Sequence, residues 1–148
     1  MSGATVSGSV ELDPQTLDHP TLKFLREYWE RKRGSHAMPS RADIVPSQLR
    51  AHLGWISMVD VIDEGRDFRY RLLGTLVTRY FNWDPTSKTV TEAFAGQPAQ
   101  LCDAVLGIYR CVVGSRRLVR ALADANWAAR GPKNERRCIC RFPMMAQT

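Results

Sequence analysis

The chain has 148 residues, which is the size of one domain and enough to bury a core without metals or disulfides. Hydrophobic residues make up 44% and charged residues 24%, which excludes a disordered chain, and no stretch reaches the roughly 18 apolar residues of a spanning helix. The N-terminus has neither the basic start nor the apolar centre of a secretion signal, so we expect a cytoplasmic protein without membrane contact.

The formal net charge is +6, and it is concentrated towards the C-terminus. Residues 110–148 carry nine Lys and Arg and two acidic residues, a net charge of +7, which leaves −1 for residues 1–109. A basic segment attracts phosphates, but dispersed arginines more often form a solvated strand face. Nucleic-acid binding through the C-terminal region is therefore the alternative function, and we expect it to be the weaker one.

Residues 1–18 are rich in Ser, Gly, Thr and Asp, which predicts a flexible leader before a single domain at residues 19–148. From Leu22 the apolar residues recur at helical spacing and predict an amphipathic helix. Asp18 is its expected N-cap, and Gly34 its expected end.

Two aromatic residues of this helix, Phe24 and Tyr28, lie beside its apolar stripe. One packed helix face does not need both, so we predict that they form an exposed dimer or partner surface. The alternative is that both pack on the sheet.

A connector and a hairpin follow the helix. Residues 38–47 contain two prolines and several capping residues, which predict an irregular connector. Residues 55–62 are rich in β-branched side chains, and in residues 68–73 aromatic and apolar residues alternate with arginine. The polar residues 63–66 between them are typical of a turn, so we predict a β-hairpin.

Helices and further strands follow the hairpin. In chain order, the predicted elements are a short helix over 75–81, a helical turn over 89–95, a longer helix over 98–114, and strands over 117–127 and 137–142. This order of elements predicts an α+β fold with a single antiparallel sheet flanked by short helices and preceded by the amphipathic helix.

Several stretches of the chain resemble a known family in register. They are LREYWERKRG over 25–34, MPSRADIVP over 38–46, residues 49–61, FRYRLLGT over 68–75 and DPTSKTVTEAF over 84–94. Together they resemble a bacterial PAS-domain family of short, often single-domain proteins, over roughly residues 19–130. FRYRLLGT and the strand before it are the most specific part of the resemblance.

The resemblance implies a curved PAS-type sheet whose concave face holds a small ligand or is filled by side chains. It also implies a sensory or signalling module that acts in trans, either as a homodimer or on a signalling-protein partner. The candidates for lining a ligand pocket are aromatic or apolar, and ordinary core packing is the alternative for each: Trp55, Phe68, Tyr70, Leu72, Leu76, Tyr80, Phe81, Trp83 and Tyr109.

The cofactor stays unknown from the sequence. Haem needs an axial ligand, commonly His, and none of the three histidines follows the hairpin. A flavin photochemical site needs a cysteine within residues 75–95, and Cys102 lies outside them. The chain also lacks a Gly-rich phosphate loop, an HExxH motif, a GxSxG motif and paired metal-ligand spacing, so we expect no enzyme, no catalytic residue and no metal site.

The sequence departs from the family pattern at two places. Ser87 stands where a glycine is more typical of the subfamily. Near the C-terminus, where the pattern reads Leu-Pro-Leu-Ser-x-Asp-Gly, the chain has a Met-Met-Ala run at 144–146, and reading that run one base earlier restores Asp-Gly. We therefore hypothesise that residues 135–148 derive from a shifted reading frame, which would leave the last strand of the fold missing.

Overall fold

The computed structural model describes residues 8–17 and 19–123, and these residues form an α+β domain. The elements, in chain order, are β1 (Gly8–Leu12), α1 (Pro20–Arg33), β2 (Ser57–Ile62), β3 (Asp67–Leu73), α2 (Thr75–Phe81), α3 (Val90–Ala93), α4 (Ala99–Ser115) and β4 (Val119–Ala123). Short 3-10 turns at Arg41–Asp43, Pro46–Leu49 and Leu53–Trp55 fill the connector between α1 and β2. The predicted fold class is confirmed.

The N-cap of the N-terminal helix lies one residue after the predicted one. His19 is the N-cap of α1, and its Nδ1 accepts a hydrogen bond from the Thr21 backbone N–H at 3.2 Å. The predicted cap, Asp18, lies outside the described residues. The helix ends at Gly34, whose φ of 54° lies in the left-handed region that glycine adopts without strain, as predicted.

The predicted hairpin is confirmed, with β2 and β3 paired antiparallel. Val59 faces Tyr70 and Val61 faces Phe68, which places these four side chains on one face of the hairpin. The turn between the strands is a single 3-10 turn, Asp63–Gly65.

The glycine that ends β3, in the FRYRLLGT stretch, is required by a close backbone contact. A Cβ atom on Gly74 would lie 2.2 Å from the carbonyl oxygen of Gly54. No side chain fits there, and the Gly74 N–H also donates to the Ile56 carbonyl at 2.8 Å. The contact fixes the start of α2 against the end of the connector.

Strand β1 differs from the prediction of a flexible leader for residues 1–18. Residues 8–12 pair antiparallel with β4, in a register that sets Val10 opposite Ala121. Ion pairs of Glu11 with Arg120 and of Asp13 with Arg117 join the same two segments. The stabilising partner is more than a hundred residues away in the sequence, so local composition could not indicate this strand.

The described strands form two separate pairs, β1 with β4 and β2 with β3, and not the single sheet that the strand order predicted. A local pattern indicates that a strand exists, but its partner depends on contacts distant in the sequence. Within residues 117–127, Val119–Ala123 are confirmed as a strand. Residues 124–127, the predicted strand over 137–142 and the whole segment of the frameshift hypothesis lie outside the described residues.

Two apolar clusters lie on different sides of the hairpin. The main core packs β2 and β3 against α3, α4 and β4, and its buried members are Val59, Phe68, Tyr70, Val90, Phe94, Leu101, Leu106, Tyr109, Val112 and Val119. The smaller cluster packs α1 against the connector, through Leu25, Tyr28, Leu49 and Ile56. Of the nine side chains that the sequence singled out for a pocket, the main core contains Phe68, Tyr70 and Tyr109, and Trp83 packs against it.

Candidate functional site

A bulge in β3 decides which side chains of the hairpin face the main core. Met58 faces Leu72 and Val59 faces Tyr70, so Arg71 has no residue opposite it in β2. Beyond this extra residue, Leu73 and not Leu72 shares the face of Val59, and it packs against the main core. The prediction that Leu72 lines the pocket face is therefore wrong, because an insertion of one residue moves the following side chains to the other face.

Aromatic side chains of β3, α4 and the loops after α2 and α3 meet on the core face of the hairpin, and we call Phe68, Tyr70, Trp83, Phe94 and Tyr109 the aromatic cluster. The Phe68 and Tyr109 rings meet edge to face with centroids 5.2 Å apart, and Trp83 meets Phe94 at 5.1 Å and Tyr70 at 6.4 Å. Edge-to-face contacts of this kind add stabilisation beyond burial. Four of the nine pocket candidates are therefore brought together.

The other pocket candidates do not join this cluster. Trp55 retains 44% of its exposure and Leu76 retains 37%, so both lie at the surface, and their role in a pocket wall stays a prediction. The side chains of Tyr80 and Phe81, at the end of α2, lie outside the described part of the chain.

Phe94 is a member of the cluster that the pocket prediction missed. It follows α3, a helix that starts with a capping box in which Thr89 and Glu92 each bond the other's backbone N–H. The Thr-x-x-Glu spacing signals a helix start, and it could have indicated that Phe94 turns back towards the core.

Ser57 is a second residue that the sequence did not indicate. It lies at the start of β2 opposite Leu73, so its side chain shares the face that packs on the main core. Only 7% of Ser57 is exposed, and its Oγ has no hydrogen-bond partner among the described residues. A buried hydroxyl without a partner costs about 1–3 kcal/mol, so this atom requires an explanation.

The polar groups beside the cluster have ordinary protonation states at neutral pH. Burial favours the protonated form of Asp67, but hydrogen bonds from Phe68 and Thr91 outweigh it and hold the pKa of this carboxyl below its usual range. Burial, with the nearby charge of Asp103, raises the pKa of the Cys102 thiol. Cys102 is therefore a protonated, core-packed side chain at neutral pH.

The predicted partner surface on α1 is not an exposed face. Tyr28 is fully buried, and its Oη accepts a hydrogen bond from the Val45 backbone N–H at 2.9 Å. Phe24 is half-buried, and its ring stacks on His52 with centroids 4.2 Å apart. The prediction is wrong because the connector folds back over this face of α1, and both aromatics belong to the smaller cluster.

The described residues contain neither a candidate metal site nor a helix that could cross a membrane. No group of three His, Cys, Asp or Glu side chains is placed to hold a metal ion within residues 8–17 and 19–123. In the same part of the chain, no helix has the length and apolar character needed to cross a membrane.

The hairpin, the helices packed on one of its faces and the aromatic cluster between them define an α+β domain of the PAS type. A family model described as PAS domain matches residues 17–130, which is most of the chain. The chain belongs to the PAS-domain family, which is a family of sensory and signalling modules. No curated protein and no solved structure matches the chain significantly.

Proposed function

We propose that this PAS domain senses a small molecule at the core face of its hairpin and signals in trans, by contact with a second copy or another signalling protein. The observation that carries the proposal is the buried hydroxyl of Ser57. Only 7% of this residue is exposed, and its Oγ lacks a hydrogen-bond partner among the described residues. Such a hydroxyl is stabilised when a bound molecule supplies a donor or acceptor.

The surroundings of Ser57 favour a compact, mainly apolar ligand with one hydrogen-bonding group. The aromatic cluster supplies an apolar wall, and polar groups at small-molecule sites are few and placed to fix orientation. Leu73, opposite Ser57, and Trp83, at the edge of the cluster, are only half-buried. We expect the ligand to lie between these two side chains.

A binding role suits the described residues better than catalysis. The only cysteines among them, Cys102 and Cys111, pack against the main core, and burial raises the pKa of Cys102 away from the reactive thiolate. The carboxyl of Asp67 is held by hydrogen bonds from its own neighbours and from Thr91. We therefore propose a module without an enzymatic activity of its own.

The nucleic-acid alternative has less support. Arg117 and Arg120, from the basic C-terminal region, form ion pairs with Asp13 and Glu11. Arg110 donates to backbone carbonyls of the hairpin turn. Arginines engaged in this way have fewer donors to offer to phosphates, and binding to a nucleic acid would break the contacts that hold β1.

Native mass spectrometry of the protein purified from cells tests the proposal, with Ser57→Ala as the variant and Ser47→Ala as its control. Ser47 is exposed in a 3-10 turn of the connector and belongs to neither apolar cluster. We expect the wild-type and Ser47→Ala proteins to retain the same small-molecule mass, and Ser57→Ala to retain clearly less of it, because a lost hydrogen bond of about 1 kcal/mol weakens binding roughly fivefold. Equal retention by all three proteins, or no bound mass in any of them, would contradict the proposal.

A further inference from the structure

The hairpin turn has an unusual backbone. Asp63, Glu64 and Gly65 are consecutive and all have positive φ, at 48°, 57° and 96°. Glycine adopts this left-handed region readily and Asp does so occasionally, whereas a residue such as Glu64 is destabilised there by about 1–2 kcal/mol. The strained conformation of Glu64 therefore depends on surrounding contacts that keep the turn in place.

Arg110 of α4 supplies that contact. Its Nε donates to the Gly65 carbonyl at 2.8 Å, and its Nη2 donates to the Arg66 carbonyl at 2.7 Å. The guanidinium thus holds two successive carbonyls of the turn with charge-assisted hydrogen bonds, and its planar donors fix the orientation of both.

The residue before Arg110 connects the same helix to the aromatic cluster. The Tyr109 ring meets Phe68 edge to face at 5.2 Å, and Phe68 lies directly below the turn, because a Cβ on Gly65 would be 3.9 Å from Phe68 Cζ. Two neighbouring residues of α4 therefore hold the inner and the outer side of one end of the hairpin. A shift of α4 along the hairpin changes both contacts together.

We propose that Arg110 is a latch that keeps the Asp63–Gly65 turn in its strained left-handed conformation, and that movement of α4 releases it. When the latch opens, the turn relaxes to ordinary backbone angles and the exposed side chains of Asp63 and Glu64 change direction. The use of this change as a signal rests on the proposed function, because a ligand at the aromatic cluster would be what moves α4. The latch itself is a property of the ligand-free chain.

A double-mutant cycle tests the latch on ligand-free protein refolded from denaturant, so the result does not depend on whether a ligand binds. The four proteins are wild type, Arg110→Ala, Glu64→Gly and the double variant, compared by chemical unfolding. Arg110→Ala should lower the folding equilibrium constant of the wild type, and the relaxing turn should return part of that loss. Glu64→Gly removes most of the strain in the turn, so in that background relaxation of the turn offsets less of the loss. Arg110→Ala should therefore reduce the folding equilibrium constant about fivefold more in Glu64→Gly than in the wild type.

Arg79→Ala is the matched control, since Arg79 is exposed on α2 and its side chain has no ion pair or hydrogen bond among the described residues. Its effect should be the same in the wild-type and Glu64→Gly backgrounds. NMR supplies a second readout, because the coupling between the amide proton and Hα of Glu64 reports its φ, which should leave the left-handed value in Arg110→Ala. An Arg110→Ala effect that is equal in both backgrounds, with an unchanged Glu64 coupling, would overturn the latch.

Discussion

Ser87 is held in a backbone conformation that favours glycine, and replacing it with glycine should stabilise the protein. Its φ is 71°, and the loop cannot relax freely because the Ser87 N–H donates to the Tyr70 carbonyl at 2.7 Å while the Tyr70 N–H donates to Lys88 at 3.0 Å. The left-handed conformation costs a non-glycine residue about 1–2 kcal/mol. Glycine removes that cost, but its greater conformational freedom stabilises the unfolded state by about 0.4–1 kcal/mol.

The net expectation for Ser87→Gly is a gain of about 0.5–1 kcal/mol in the free energy of unfolding, or roughly 1–4 °C in Tm. The Ser87 side chain is exposed and makes no hydrogen bond with a described residue, so its removal costs little. Chemical and thermal unfolding of three variants checks the reasoning. Ser87→Ala keeps the strain and should be neutral, and Ser47→Gly, at a position with ordinary φ, should be neutral or destabilised. An unchanged or less stable Ser87→Gly protein would refute the argument.

Three other predictions concern named contacts. Gly74→Ala should lose several kcal/mol in the free energy of unfolding, because its Cβ would lie 2.2 Å from a backbone oxygen. Gly107→Ala, in open space on α4, should gain about 0.5–1 kcal/mol by helix propensity. A Gly107→Ala protein less stable than Gly74→Ala would contradict the packing. Tyr28→Phe removes the acceptor of the Val45 N–H and should cost about 1 kcal/mol in chemical unfolding, whereas an exposed partner residue would show no loss. The pKa of Asp67 is lowered in the folded state, so its ionised carboxylate stabilises the fold fully above the unfolded-state pKa, and this stabilisation is lost as the pH falls through the folded-state pKa. Asp67→Asn should therefore make the free energy of unfolding fall less steeply below about pH 4. An unchanged pH profile would count against this prediction.

The local elements of this chain were predictable from sequence because each has a strong local signal. The alternation around Phe68 and Tyr70, with polar residues between the two strands, identified the hairpin. Pro98 and the apolar face after it identified α4, although the helix runs one residue past the predicted stop at Gly114 and ends with Arg116 as its left-handed C-cap. Capping and periodicity are properties of neighbouring residues, so they can be detected without a structure.

The predictions that failed concern contacts between residues that are distant in sequence. Strand β1 depends on β4, and the burial of Tyr28 depends on the fold of the connector over α1. The bulge at Arg71 exchanges the roles of Leu72 and Leu73, and the run of two leucines gives no sign of which faces the core. Pocket composition was thus only partly predictable, since one extra residue in a strand redirects the side chains after it.

The family resemblance also identified an irregular position whose physical reason came only with the structure. Ser87 stands where glycine is more typical of the subfamily, and its positive φ explains that preference. The sequence could mark the departure, but only the hydrogen bonds to Tyr70 show that the left-handed backbone is fixed by β3.

A crystal structure of the protein purified from cells without a denaturing step would show whether a small molecule lies at the core face of the hairpin. We expect small-molecule density beside Ser57, with an atom about 2.7–3.2 Å from its Oγ and in contact with the aromatic cluster. A core face filled by side chains alone, with the Ser57 hydroxyl bonded to a protein atom, would contradict this expectation.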